Sequence, residues 1–194
     1  MARAPGPDEA RSLVESRLHA GEELLWVGRS DPARVFVDAD RWLIPLSVLF
    51  SAGLAVADVS VYRSGAHPVT IVVLAALSVA AAHVLVGRFL VKRHRKRTDV
   101  YAVTDHRVLV VNEGRVRETS ASRTDWYVDR SARHITVEWD DSRHLDTLFR
   151  GGSEAVRQYA NTGLDLTPER GNFALYDVAD GDALLAALRR TSRQ

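Results

Sequence analysis

Among the ionisable side chains that could do chemistry, Asp125, Asp129, Asp140 and Asp141 are the nearest to a pair of working carboxylates. General acid–base catalysis needs two such groups held in different environments. Each of these four sits in or beside a predicted turn, where Asp serves by bonding its own backbone. The seven histidines are scattered without ligand spacing, and there is no cysteine to supply a thiolate or a disulfide. GxGxxG, GxxxxGK[ST], HExxH and GxSxG are all absent. The expectation is a chain that is not an enzyme, with no catalytic residue, no metal site and no cofactor. Asp58 and His83 differ from the rest because they interrupt apolar runs, where an ionisable group is costly and kept for a reason.

Those runs are the elements that position them. Composition alone describes an ordinary soluble protein, with 46% hydrophobic residues and a net charge of +1, but the apolar sequence is concentrated between Trp42 and Val91. The spacing predicts two membrane-spanning helices, about 42–62 and 69–90, joined by the tight turn RSGAHP. At about 1.5 Å per residue each covers roughly 30 Å, and Trp42 and Tyr62 stand where interfacial rings are favoured. In such a hairpin Asp58 lies near the outer end and His83 deep, about 15 Å apart along the axis, too far to pair directly. Ser47, Ser51 and Ala55 on the first span, and Ala76 and Ala80 on the second, form small-residue faces for helix packing. Packing of the hairpin on itself uses them most simply, with a homo-oligomer second.

A basic block, KRHRKR, follows the second span. Arg34 and Arg41 precede the first, and the connecting loop holds only Arg63, so the positive-inside rule puts both termini in the cytoplasm of a multi-pass cell (inner) membrane protein. Lys92, Arg93, Arg95, Lys96 and Arg97 are the candidate lipid-surface residues. Spread at about 100° per residue around a helix, they form a collar suited to nonspecific attraction of anionic headgroups. A nucleic-acid patch is the weaker interpretation of this block, and nucleic acid is not an expected partner. The first residues contain no apolar stretch resembling a cleavable signal.

Beyond the block the periodicity changes. VYAVTDHRVLVVNEGRV has the density of β-branched residues and the turn signals of hairpin strands. Ile135, Val137 and Trp139 alternate with polar neighbours. RHLDTLF and FALY are further segments, and EAVRQYA within the polar stretch between them suits a short helix. DGDALLAALRR closes as an amphipathic helix, with Asp180 as N-cap, Leu184, Leu185 and Leu188 on one face and two arginines at the end that favours cations. Ahead of the hairpin, Leu13, Val14 and Leu18 predict a short amphipathic helix that packs on the β-domain, Ser30 or Asp31 caps a turn whose first position is Pro32, and Asp40 caps the first span.

EELLWVGRSDP, a two-span hairpin, YAVTDHRVLVV and a closing helix occur here in that order. In this the chain resembles bacterial membrane proteins with a pleckstrin-homology-like (PH-like) domain. Trp26, Gly28, Arg29 and Pro32 before the hairpin, and Tyr101, Thr104, Arg107, Val108 and Leu109 after it, make the likeness. The resemblance implies an α+β fold: a transmembrane helical hairpin plus a cytoplasmic PH-like antiparallel β-sandwich or partial barrel, capped by the C-terminal helix. The expected divisions are an N-terminal cytoplasmic or interfacial segment at 1–40, the hairpin at 41–91 and the PH-like domain at 98–194. Where PH domains carry a basic phosphate-gripping loop, this chain has Thr104, Asp105 and His106 before Arg107, a poor match to inositol-phosphate recognition. The functional expectation is an interaction or scaffold protein that binds a protein partner or regulates a membrane complex. The alternative is an anionic-lipid recognition module, and third comes a small membrane enzyme or transporter accessory subunit.

Overall fold

The computed structural model describes residues 4–112, 114–131, 133–139, 161–163 and 173–191. Asp140 and Asp141, the segment RHLDTLF and the expected helix at EAVRQYA lie outside the described residues. The described chain is α+β, with two long apolar helices and two antiparallel sheets that do not close into a barrel. It divides into two compact units.

The first unit holds both sheets. Strands β1 (Leu24–Arg29), β2 (Val100–Thr104), β3 (Arg107–Asn112) and β4 (Arg115–Ser120) form a sheet in that order. Strands β5 (Trp126–Arg130), β6 (Ile135–Trp139) and β7 (Phe173–Val178) form the other. Period-two alternation sends the residues of β2 and β3 to opposite faces. Tyr101, Val103, Val108 and Val110 join Trp139, Phe173 and Leu175 in the main core. Val100, Ala102, Leu109 and Val111 pack against Ala10 and Val14 of helix α1 (Pro7–Glu15). The first sheet is thus covered on both sides, which explains why its central strands read as nearly unbroken apolar runs. The closing helix, Gly181–Thr191, buries Leu184, Leu185 and Leu188 in the main core, the face its spacing predicts.

Expected and observed divisions differ: the described residues up to Arg34 belong to the β unit, which resumes at Arg93, while the hairpin unit runs from Val35 to Lys92 and includes Asn161–Gly163. The reason is backbone pairing. LLWVGR reads weakly as a strand by itself, yet Val27, Gly28 and Arg29 pair with Ala102, Tyr101 and Val100 across the whole hairpin insertion.

The second unit is the hairpin, with α2 (Asp40–Ser64) and α3 (Pro68–Thr98). α3 contains a widened π turn at His83–Gly87, and its last residues, from Arg93, belong to the β unit. Gly65 ends α2 in the left-handed conformation, at φ 61°, which a residue without Cβ adopts at least cost. Both helices are long and apolar enough to cross a membrane, and only 6% of each apolar window is buried. Leu49, Val56, Val72 and Val79 all point outward. A soluble protein rarely leaves so large an apolar surface bare, whereas a bilayer would cover it. The contact face differs in part from expectation: Ser47 is buried, but Ala55, Ala76 and Ala80 are exposed. Leu74, Ser78 and Ala81 are the more enclosed positions of α3 instead. Small-residue spacing recurs on several faces of an alanine-rich helix, so spacing alone does not select the one that packs.

Candidate functional site at the end of the second long helix

The basic block forms the last turns of α3, and the structure divides it. Arg93 and His94 are exposed, Arg95 and Arg97 are half-buried, and Lys92 and Lys96 are buried. Burial of the two lysines corrects the expectation of a uniform collar. Helical geometry places positions four apart on one face, and Lys92 and Lys96 share the inward one. Lys96 donates through Nζ to the Asp177 carboxylate on β7 and, at 2.5 Å, to the Arg34 carbonyl. Arg34 Nε lies 3.1 Å from the other Asp177 oxygen. A lysine this enclosed requires a counter-charge, because an unpaired buried ammonium is among the costliest groups a fold can hold.

Asp177 is fixed by more than its ion pairs. It adopts a left-handed backbone at φ 51°, which Asp tolerates better than most residues. Its N–H donates to Thr136 Oγ1 at 3.0 Å, and its carbonyl accepts from Asp31 N–H at 3.0 Å. Asp31 also contacts His134 Nε2 at 2.8 Å and accepts from Ala33 N–H at 2.8 Å, so of the two expected caps, Ser30 and Asp31, it is Asp31 that caps the turn at Pro32. That backbone hydrogen bond holds the Asp31 carboxyl below its ordinary range, with His134 adding to the effect. Residues 31, 34, 96, 134 and 177 therefore form one charged cluster binding the end of α3 to β7 and to the segment after β1. An ionisable cluster of this kind also occurs in active sites, but here every member named has an internal partner.

A second network closes the far end of the first sheet. Arg107 meets Glu22 in two parallel bonds, Nε to Oε1 at 2.8 Å and Nη2 to Oε2 at 2.9 Å, and also pairs with Glu118. Thr104 Oγ1 donates to Glu22 at 2.7 Å. Hydrogen bonding to Arg107 lowers the Glu22 pKa to about 2. The Arg107 guanidinium, just after the turn between β2 and β3, is therefore engaged within the domain.

In the hairpin, Asp58 accepts from Ser78 Oγ of the facing helix at 2.6 Å. His83 opens the π turn, and its ring occupies space left by Gly87, where a Cβ would come within 2.6 Å of Nδ1. Its Nε2 is buried and has no hydrogen-bond partner among the described residues. At the opposite end of the hairpin, Asp40 pairs with the fully buried Arg88 and accepts from Val37 N–H at 2.8 Å. Asp40 is thus the first residue of α2 rather than its cap. Asp125 pairs with Arg123 at 2.5 Å, as its turn position suggests. Among the described residues, no group of three His, Asp or Glu side chains is arranged to hold a metal ion.

Sequence reasoning missed Asp177, Arg34, His134, Glu22 and Arg88. The available signal was charge out of place: Asp177 ends the apolar run FALY, and Arg88 interrupts GRFLV. No family model, curated protein or solved structure matches the chain.

Proposed function

We propose that the chain is a membrane-anchored interaction protein of the inner membrane, with both termini cytoplasmic and a PH-like β-domain that engages a protein partner or regulates a membrane complex. One observation carries this reading: the helix that continues from the apolar hairpin ends in the buried Lys96–Asp177 pair. Both members of that pair belong to the β unit, so the end of the long helix is packed as part of the domain itself. The sequence of a four-stranded sheet, a three-stranded sheet and a closing helix supports the PH-like resemblance. Edge strand β5 presents the exposed Tyr127 as one surface for a partner. Interaction rather than catalysis is favoured because the ionisable clusters described above are satisfied internally.

A second reading, recognition of anionic lipid, is favoured by the exposure of Arg93 and His94 at the end of α3. Photo-crosslinking from position 127 in native membranes tests the choice. Recurrent capture of the same protein is expected. Recovery of lipid adducts alone would replace the interaction reading with the lipid one.

A further inference from the structure

Arg88, in the hairpin unit, is 0% exposed. Its Nη1 donates to the Asp40 carboxylate and, at 3.4 Å, to the Thr162 carbonyl of the same unit. Its Nε and Nη2 are buried and have no hydrogen-bond partner among the described residues. These two nitrogens are the parallel donors of the guanidinium fork, which fits two oxygens carried on one centre. Arg107 shows that fit within this chain: its Nε and Nη2 take the two oxygens of the Glu22 carboxylate at 2.8 and 2.9 Å. A buried donor left unmade costs the fold its full desolvation, so two of them on one charged group call for an acceptor. The Phe89 ring lies 4.2 Å from the Arg88 guanidinium, and the second Asp40 oxygen accepts from Val37 N–H at 2.8 Å, so neither supplies it.

We infer that the Nε–Nη2 side of Arg88 is a binding site for a phosphate group, with Asp40 holding the guanidinium in place through Nη1. The inference deepens the membrane-anchored reading and rests on it for the class of ligand. Arg88 stands on α3 twenty residues after Pro68, where the helix begins. At about 1.5 Å per residue that is roughly 30 Å, one hydrocarbon thickness, so in a spanning hairpin Arg88 lies at the level of headgroup phosphates. A phospholipid phosphodiester and free phosphate share the chemistry the fork recognises, a tetrahedral centre presenting paired oxygens. Because the fork is enclosed, the group is a resident one, admitted by local opening rather than held on the surface. The bond to the Thr162 carbonyl, at 3.4 Å, is long for its kind and is the contact released at least cost. A phosphate in this position completes the bonds of Arg88 and ties the end of the hairpin to one bound molecule.

The test uses the full chain, isotopically labelled at the arginine nitrogens, in maltoside micelles that contain no phosphate. The Arg88 Nε–H signal in the NMR spectrum is identified by its loss in Arg88→Lys, which keeps a charge beside Asp40 and removes the fork. Inorganic phosphate is added in one arm and phosphatidylcholine in the other, at constant ionic strength. A saturable downfield shift of the Arg88 signal is expected as the hydrogen bond to an oxyanion forms. A shift with phosphatidylcholine alone assigns the site to a lipid, a shift with inorganic phosphate alone assigns it to the free ion, and each supports the site. If Arg88→Lys does not fold, the parent still decides, because a guanidinium signal protected from solvent exchange has to move. No shift in either arm, or a shift that sodium chloride reproduces, overturns the inference. That failure leaves the anchored reading standing, because membrane crossing is tested separately by cysteine labelling in intact cells.

Discussion

Replacing Glu22 by Gln removes one charge from the Arg107 pair while preserving side-chain shape, and its consequence can be worked out. The carboxyl titrates at about 2 in the folded chain against 4.5 for an unperturbed group. At about 1.4 kcal/mol per pH unit, this favours the folded state by about 3 kcal/mol at neutral pH. Because the folded pKa is the lower, the contribution is complete above about pH 4.5 and disappears as pH falls through about 2. At pH 3 about 1 kcal/mol remains. Glu118 compensates little, since its side chain is 54% exposed and exposed pairs contribute about 0 to 1 kcal/mol. Trp26 and Trp139 are buried in the β unit, so tryptophan fluorescence during urea unfolding of the detergent-solubilised chain reports on the right region. The parent should exceed Glu22→Gln by about 3 kcal/mol at pH 7, with the gap shrinking to about 1 kcal/mol at pH 3. Equal stability at pH 7, or a gap that does not narrow in acid, would refute the assignment of this stability to the Glu22–Arg107 pair.

Two other substitutions probe the joint and the core. Asp177→Asn retains a residue that tolerates the left-handed backbone but strands the buried Lys96, and should cost about 3 to 5 kcal/mol in the same unfolding assay. Adding Lys96→Met should recover much of that loss, giving a coupling that a double-mutant cycle measures, whereas simple additivity would mean the two groups do not interact. Leu188→Ala removes a side chain 2% exposed and should cost about 2 to 5 kcal/mol. An unchanged urea midpoint would mean that the closing helix is not part of the core.

Local periodicity made much of the fold legible. The hairpin could be read because nearly every residue across two helical lengths is apolar, and the faces of the closing helix and of β6 because their patterns repeat within a few residues. What the sequence hid depends on pairing over distance. LLWVGR becomes a strand only when β2 arrives beside it, after the entire hairpin. Lys96 resembles its solvated neighbours until Asp177, far along the chain, turns it inward. The same applies to Glu22 with Arg107 and to Arg88 with Asp40, whose charges look independent in sequence.

The central claim is that the apolar hairpin crosses a membrane and leaves the β unit on the cytoplasmic side. Ser64, at the end of α2, and Ser122, in the loop after β4, are both exposed, and the absence of native cysteine leaves no background for labelling. Ser64→Cys and Ser122→Cys, introduced singly into the full chain, should respond oppositely to an impermeant thiol reagent in intact cells. Labelling at position 64, with position 122 protected until the membrane is opened, is the predicted result. Labelling at position 122 with protection at 64, or recovery of the chain from the soluble fraction, would contradict it.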